Sequence, residues 1–263
     1  WSGLAKYDGY EFTIFRNQPE DTTTLINDVI AGLTEDKKGN IWIASSKGIS
    51  CLNRKNQKFT NYNPSPSPSD QTKPFNILCI ISDVHNNIWF ASRDEGVGKL
   101  SIAERRIQII DKNAKQVKRI LPLNDSTLIY AAISGVYTIN ISTNKIRQVS
   151  EKNMNPWSAC LDSSNDLWVG TWDNGIYKIN TKSGKTIRLT RNPEINKSLP
   201  DNKIPSIYLD KKRRLWVGTG NGICMYNYKD NSFERYPKEL KNAFINEIYE
   251  SKDGLFWIGT KEN

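Results

Sequence analysis

Histidine is almost missing from this chain: of 263 residues, only His85 carries an imidazole. Ser-His-Asp and Cys-His mechanisms and His-rich metal sites all need a positioned imidazole, and His85 falls in the turn run "DVHNN". Those chemistries are therefore set aside, and no catalytic residue, metal site or cofactor is expected. Cysteine is sparse too. Cys51, Cys79, Cys160 and Cys224 show neither CxxC nor metal-ligand spacing, and each lies in an apolar strand pattern where a thiol packs as a small hydrophobe. Unpaired core cysteines are the expectation. No apolar run approaches the ~18 residues that a membrane span needs, so no membrane contact is expected within the chain. There is no initiating Met or signal peptide before "WSGLAKYDG", and processing or excision from a longer polypeptide is the expected reason.

What the chain does contain is one hairpin written repeatedly. "DKKGNIWIASSKGIS" starts at residue 36, and similar runs follow at residues 83, 162, 210 and 251. Aligned on their tryptophans these give Trp42, Trp89, Trp168, Trp216 and Trp257, with one double-length gap. The gap holds "NDSTLIYAAISGVYTIN", in which Tyr130 takes the Trp place, Asn124 the turn Asp and Gly135 the glycine. The period is then roughly 38 to 48 residues, near that of propeller blades.

Each copy resolves into four short strands. An inner strand carries apolar residues three and six places before the turn, as in Ile30 and Leu33 or Ile77 and Ile80. That spacing also suits a helix, but the segments are too short and too rich in β-branched residues. A D-x-x-[GN] turn follows, in which Asp can bond the turn backbone and Gly or Asn accepts positive φ; Arg213 departs from it. The Trp strand closes on a small pair such as Gly170-Thr171. A third strand opens on Gly, and a fourth alternates in character. The chain starts with a third-and-fourth pair at Gly3 and ends with a first-and-second pair at Trp257.

The fold class expected is therefore all-β: a β-propeller of six four-stranded blades, one of them closed by the N-terminal and C-terminal half-units. An excised part of a seven-bladed ring is the alternative. Residues 1–263 are expected to form a single propeller domain, with units around Trp42, Trp89, Tyr130, Trp168, Trp216 and Trp257. Stacked units bury their faces against one another, which no unit can do alone.

A net charge of +9 and the run Lys211-Lys212-Arg213-Arg214 invite a nucleic-acid reading. Repeat register opposes it, because these residues occupy the same turn as Lys37-Lys38-Gly39-Asn40. A solvated hairpin tip is expected, with no nucleic-acid partner.

The motif D-x-x-G-x-[IL]-W-[IVF]-[GA]-[TS]-x-x-G-[ILV], followed by "YD" or "YN" and by loops such as "NPEINKSLPDNKI", resembles the two-component regulator propeller repeats. It is most faithful at residues 162–180, 210–227 and 251–260 and departs at residues 112–140. The resemblance implies the ligand-sensing, periplasmic part of a hybrid two-component receptor, frequently one for glycans or their breakdown products. In that family a β-sandwich, a membrane helix and a histidine kinase follow; none is present here, so kinase activity is not assigned to this chain. A homodimer through the parent receptor is an expected partner arrangement. Two other readings stay open: a glycan-active propeller enzyme, lyase or glycosidase, and a protein-interaction scaffold. Against the glycosidase, the turn carboxylates Asp36, Asp83, Asp162 and Asp210 recur copy after copy, as structural elements do.

Residues that vary among copies at the second-to-third-strand turns and the inter-unit loops are the candidates for ligand contact. They are Trp1, Arg93, Asp94, Glu95, Trp157, Trp172, Asp173 and Asn221. Flat indoles stack on the apolar face of a sugar, while Arg, Asp and Asn satisfy its hydroxyl or acidic groups, so an oligosaccharide ligand suits this inventory. The competing role for Trp1 and Trp172 is packing at the repeat boundary, and the five repeated tryptophans are expected in the core.

Overall fold

The structure is a computed structural model that describes residues 3–62, 75–102, 104, 106–150, 153–236 and 238–261. Strands β1 (Leu4–Tyr7) and β2 (Phe12–Phe15) form a two-stranded sheet. Five four-stranded sheets follow, each with its strands paired in chain order. The second sheet is β3 (Ile30–Glu35), β4 (Ile41–Ser45), β5 (Gly48–Asn53) and β6 (Lys58–Tyr62). The third is β7 (Ile77–Ser82), β8 (Ile88–Ser92), β9 (Gly96–Ser101) and β10 (Arg106–Asp111). The fourth is β11 (Ile120–Asn124), β12 (Thr127–Ala132), β13 (Gly135–Asn140) and β14 (Ile146–Ser150). The fifth is β15 (Pro156–Leu161), β16 (Asp166–Thr171), β17 (Ile176–Asn180) and β18 (Thr186–Leu189). The sixth is β19 (Ser206–Leu209), β20 (Leu215–Thr219), β21 (Gly222–Asn227) and β22 (Ser232–Tyr236). A 3-10 turn at Lys238–Leu240 leads to the two-stranded sheet of β23 (Phe244–Glu250) and β24 (Phe256–Lys261). The chain divides into two compact units, Trp1–Tyr130 with Asn140–Ile146 and Ala131–Ile139 with Arg147–Asn263. No helix among the described residues is long and apolar enough to cross a membrane.

The repeated turn has one chemical explanation. In Asp36, Asp83, Asp162 and Asp210, Oδ1 accepts backbone amide bonds within the turn, and Oδ2 accepts the indole N–H of the tryptophan six residues on, at 2.8–3.0 Å. Each carboxylate is nearly buried and spent on its own hairpin, which is the structural role that its recurrence implied. The third turn residue takes positive φ whether it is Gly39, Asn86, Asn165 or Arg213. Arg213 therefore holds the glycine conformation at some strain. In the degenerate fourth copy the anchor comes from elsewhere: the Tyr130 hydroxyl donates to Asp111 Oδ2 at 2.5 Å, while Asn124 caps its own turn.

The spacing of three on the inner strands also has a cause. Registers slip between Ile30 and Gly32, between Ile77 and Cys79, between Pro156 and Ser158, and between Ile245 and Glu247. One extra residue at each bulge lets side chains three apart share a face.

Sheets pack face to face through these side chains. Trp42, Tyr62, Phe75, Ile77, Ile80 and Phe90 form one layer, and Trp168, Ile204, Ile207, Val217, Tyr226 and Phe233 form another. Close approach needs the small pair that ends each Trp strand: a Cβ on Gly170 would lie 2.3 Å from Ser158 Oγ and 2.7 Å from the Ile204 carbonyl. All four cysteines are free, three half-buried and Cys224 buried. The run at residues 211–214 is partly consumed internally. Lys211 Nζ donates to the carbonyls of Ser251 and Lys252, and Arg214 pairs with Asp210 at 2.6 Å.

One expectation needs correction in the last sheet. Trp257 is not a core residue but 65% exposed. By contrast Trp168 is covered by Tyr226 of the following sheet at 4.6 Å and Trp216 by Phe256 at 5.2 Å. β1–β2 and β23–β24 are each two-stranded among the described residues. Leu33, whose counterparts Ile80 and Ile248 are buried, is 52% exposed.

The turns carry an acid sensitivity. Burial pushes the Asp36 and Asp210 carboxyls up, but the bonds from Trp42 and Asn40, and from Trp216 and Arg214, outweigh it and leave both below the ordinary carboxylate range. A depressed folded pKa gives stability that is complete above the unfolded value of about 4 and is lost as pH falls through the folded value. The urea midpoint is expected to drop as pH is lowered from 5 to 3. Asp36→Asn, which keeps an acceptor but cannot titrate, should flatten part of that slope.

Candidate functional site

The aromatic candidates meet in the second unit. Trp172 sits in the β16–β17 turn, which closes on itself through Thr171 Oγ1 donating to the Gly175 carbonyl at 2.8 Å. The inter-sheet loop is tied to this turn: the Gly175 amide donates to the Asn202 carbonyl and the Ile204 amide to the Thr171 carbonyl. Trp157 is the bulged residue of β15, between Pro156 paired with Thr171 and Ser158 paired with Gly170. Bulges re-aim side chains. Here the bulge brings Trp157 against Trp172, ring centroids 4.4 Å apart at 33°. Trp157 stays 37% exposed, and Phe244 stands 6.2 Å from Trp172. Lys203 Nζ lies 5.5 Å from the Trp172 ring centre, over its face. The result is an aromatic platform with one cation at its margin.

Polar groups surround it. Asp173 Oδ1 accepts from Asn174 at 2.7 Å, and Arg188 clasps Asn174 through its carbonyl at 2.9 Å and Oδ1 at 2.8 Å. The Gly220 amide donates to the Lys203 carbonyl, so the next turn touches the same loop. Its neighbour Asn221 borders a small cavity of about 160 Å³ with Arg235, Tyr236 and Lys241.

In the first unit Arg93, Asp94 and Glu95 are exposed together in the β8–β9 turn. The Arg93 amide donates to the Asn76 carbonyl at 2.8 Å, and Lys115 Nζ donates to the Asp94 carbonyl. Lys118 is close by: burial lowers its pKa, and the Arg93 charge lowers it further. Burial likewise pushes the Cys79 thiol up to about 12, which leaves it inert as a nucleophile. Trp1 lies outside the described residues.

Within each unit, then, the second-to-third-strand turns and the inter-sheet loops do come together. Sequence reasoning named Trp157 and Trp172 but missed Lys203 and Phe244. Both stand immediately before the first inner-strand apolar residue, Ile204 or Ile245, in a column that reads Val29, Asn76, Arg119, Asn155, Lys203 and Phe244 across the copies. Its variability was the available signal.

Four-stranded sheets repeated around one Asp–Trp turn define this chain as a β-propeller protein. Residues 24–47, 198–221 and 239–262 match the two component regulator propeller, so the resemblance read from the motif is borne out. The chain is similar to Histidine kinase P4 of Formosa agariphila, 26% identical over 213 residues, which is 75% of this chain and 15% of that protein. Among solved structures it is similar to the extracellular domain of a hybrid two component system from B. thetaiotaomicron, with a TM-score of 0.73 and 20% identity over 98% of this chain and 36% of that one. It is similar also to virginiamycin B lyase from Staphylococcus aureus, with a TM-score of 0.68 and 21% identity over 93% of this chain and 79% of the lyase. At these identities the likeness to the solved structures is one of fold.

Proposed function

We propose that this chain is a ligand-binding, non-enzymatic part of an extracytoplasmic sensor in a hybrid two-component signalling protein, and that its ligand is an oligosaccharide. The observation that carries the ligand class is the Trp157–Trp172 platform, with Lys203, Asp173 and Arg188 around it. An exposed indole face suits the C–H face of a pyranose, and the surrounding amides and charges suit its hydroxyls. The signalling context is supported by the matched repeats and by the descriptions of the relatives as a histidine kinase and an extracellular domain. A periplasmic location follows from the same reading.

The competing reading is a lyase, favoured by the shared fold with virginiamycin B lyase. Replacing one histidine with alanine leaves that lyase catalytically inactive, whereas this chain has one histidine, held in the β7–β8 turn. Calorimetry against a panel of neutral and uronate-containing oligosaccharides, with mass analysis of the sugars afterwards, tests the proposal. Saturable binding with every sugar recovered intact is expected. Cleavage that vanishes on changing a single non-repeated carboxylate would overturn it.

A further inference from the structure

The glycine before or at the start of a third strand lies hard against the end of the fourth in several sheets. A Cβ on Gly96, Gly135 or Gly175 would collide with the carbonyl oxygen of Asp111, Ser150 or Leu189, the last residue of β10, β14 or β18. Gly222 departs from this. The nearest atom to its Cβ position is the carbonyl oxygen of Leu240 at 3.2 Å, which belongs to the 3-10 turn and not to β22. The Gly222 amide donates to the Ala243 carbonyl at 2.8 Å and the Ala243 amide to the Leu240 carbonyl at 3.1 Å, so the segment after the 3-10 turn is tied to the start of β21. Here, where the sheet breaks its own pattern, lies the cavity of about 160 Å³ beside Asn221.

Its walls are mostly apolar. Pro200 and Ile223 in its lining are buried, and Tyr236 spends its hydroxyl on Glu234 Oε2 at 3.0 Å while its ring rests on Trp216 at 5.3 Å. A space of about 150 Å³ is enough to hold a benzene ring. Arg235 and Lys241 stand in the same lining. Other cations around this sheet are paired, Arg214 with Asp210 at 2.6 Å and Lys197 with Asp230 at 3.3 Å. Arg235 and Lys241 make no ion pair among the described residues, and no described carboxylate lines the cavity. The Asn221 backbone amide donates to Thr219 Oγ1 at 3.0 Å, while its side chain makes no hydrogen bond among the described residues. An apolar space the size of one ring, two cations without a carboxylate and one unspent amide describe a single ligand chemistry.

We propose that this cavity binds a small aryl carboxylate of benzoate size, its ring against Pro200, Ile223 and Tyr236 and its carboxylate toward Arg235, Lys241 and the Asn221 amide. A sugar suits it poorly, because hydroxyls set against apolar walls lose water without gaining partners. The site shares no side chain with the Trp157–Trp172 platform and does not depend on the reading given to it.

Calorimetry with benzoate as the probe tests this, with benzyl alcohol, acetate and glucuronate as controls. One benzoate per chain is expected, with each control about 10-fold weaker or more, since benzyl alcohol lacks the charge, acetate the ring and glucuronate the apolar face. Arg235→Gln and Lys241→Gln should each weaken benzoate about 10-fold, the worth of one charge-assisted hydrogen bond. Both side chains are exposed, so the melting temperature should not fall with the affinity. In a proton–nitrogen correlation spectrum the Asn221 side-chain amide signals should shift as benzoate is added, which places the ligand. Trp172→Ala should leave benzoate affinity unchanged, so failure here and failure of the oligosaccharide reading are distinguishable. No benzoate binding by the folded wild-type chain, equal binding of benzyl alcohol or acetate, binding indifferent to both charge variants, or binding that leaves the Asn221 signals unmoved would overturn it.

Discussion

Trp168→Ala is expected to destabilise the protein by about 3–5 kcal/mol, as truncation of a large buried aromatic does. The ring is fully buried, its N–H serves Asp162 at 2.8 Å, and its face is covered by Tyr226 of the next sheet at 4.6 Å. The substitution opens a cavity between two sheets and removes the donor that Asp162 Oδ2 accepts in a buried setting, so two penalties coincide. The same change at Trp257, which occupies the same place in the repeat, is expected to cost no more than about 0.5 kcal/mol, since 65% of that residue is in solvent. Urea unfolding of the two variants side by side decides the matter. Equal losses would mean that the last sheet is covered in solution and that exposure at Trp257 does not describe the protein.

Trp172→Ala should act on binding rather than on folding. Aromatic anchors at the centre of a binding surface carry about 2 kcal/mol or more, which is roughly a 30-fold loss in oligosaccharide affinity. Trp172 is half-buried beside Trp157 and Phe244, so a modest fall in melting temperature accompanies it, whereas Trp157→Ala, at a bulge, should lose affinity with little loss of stability. Lys203→Met, which keeps the stem over the indole and removes the charge, should weaken acidic sugars more than neutral ones. Calorimetry with matched neutral and uronate-containing oligosaccharides reads all three variants. If every variant loses stability and none changes affinity selectively, the Trp157–Trp172 pair is packing alone.

Much of this fold was legible because its repeat is written in residues with one job each. The turn Asp, its third-place Gly or Asn and the Trp six residues on form a closed hydrogen-bonded set, so their recurrence in sequence is their recurrence in space. The copy at Tyr130 could be placed by period, but not its anchor: Asp111 lies at the end of the preceding sheet, a relation that no local motif encodes. The spacing of three on the inner strands was legible as a pattern and opaque as a cause until the bulges appeared. Exposure at Trp257 and Leu33 was hidden for a different reason. Burial belongs to the neighbouring sheet and not to the residue, and a repeat position says nothing about whether a neighbour is there.

The candidate site divides in the same way. Trp157 and Trp172 stood out because they break the repeat, and the bulge at Trp157 explains why they meet. Lys203 and Phe244 required knowing that both stand beside Trp172, from one and two sheets further on.

The central claim is that ligand is met at the platform and not at the repeated tryptophans, and the indole N–H signals of the eight tryptophans in a proton–nitrogen correlation spectrum test it most directly. On titration with an oligosaccharide that calorimetry shows to bind, the Trp157 and Trp172 signals are expected to shift. Those of Trp42, Trp89, Trp168 and Trp216, each locked to a turn aspartate, are expected to stay in place. Saturable binding that leaves the Trp157 and Trp172 signals unmoved would contradict the account.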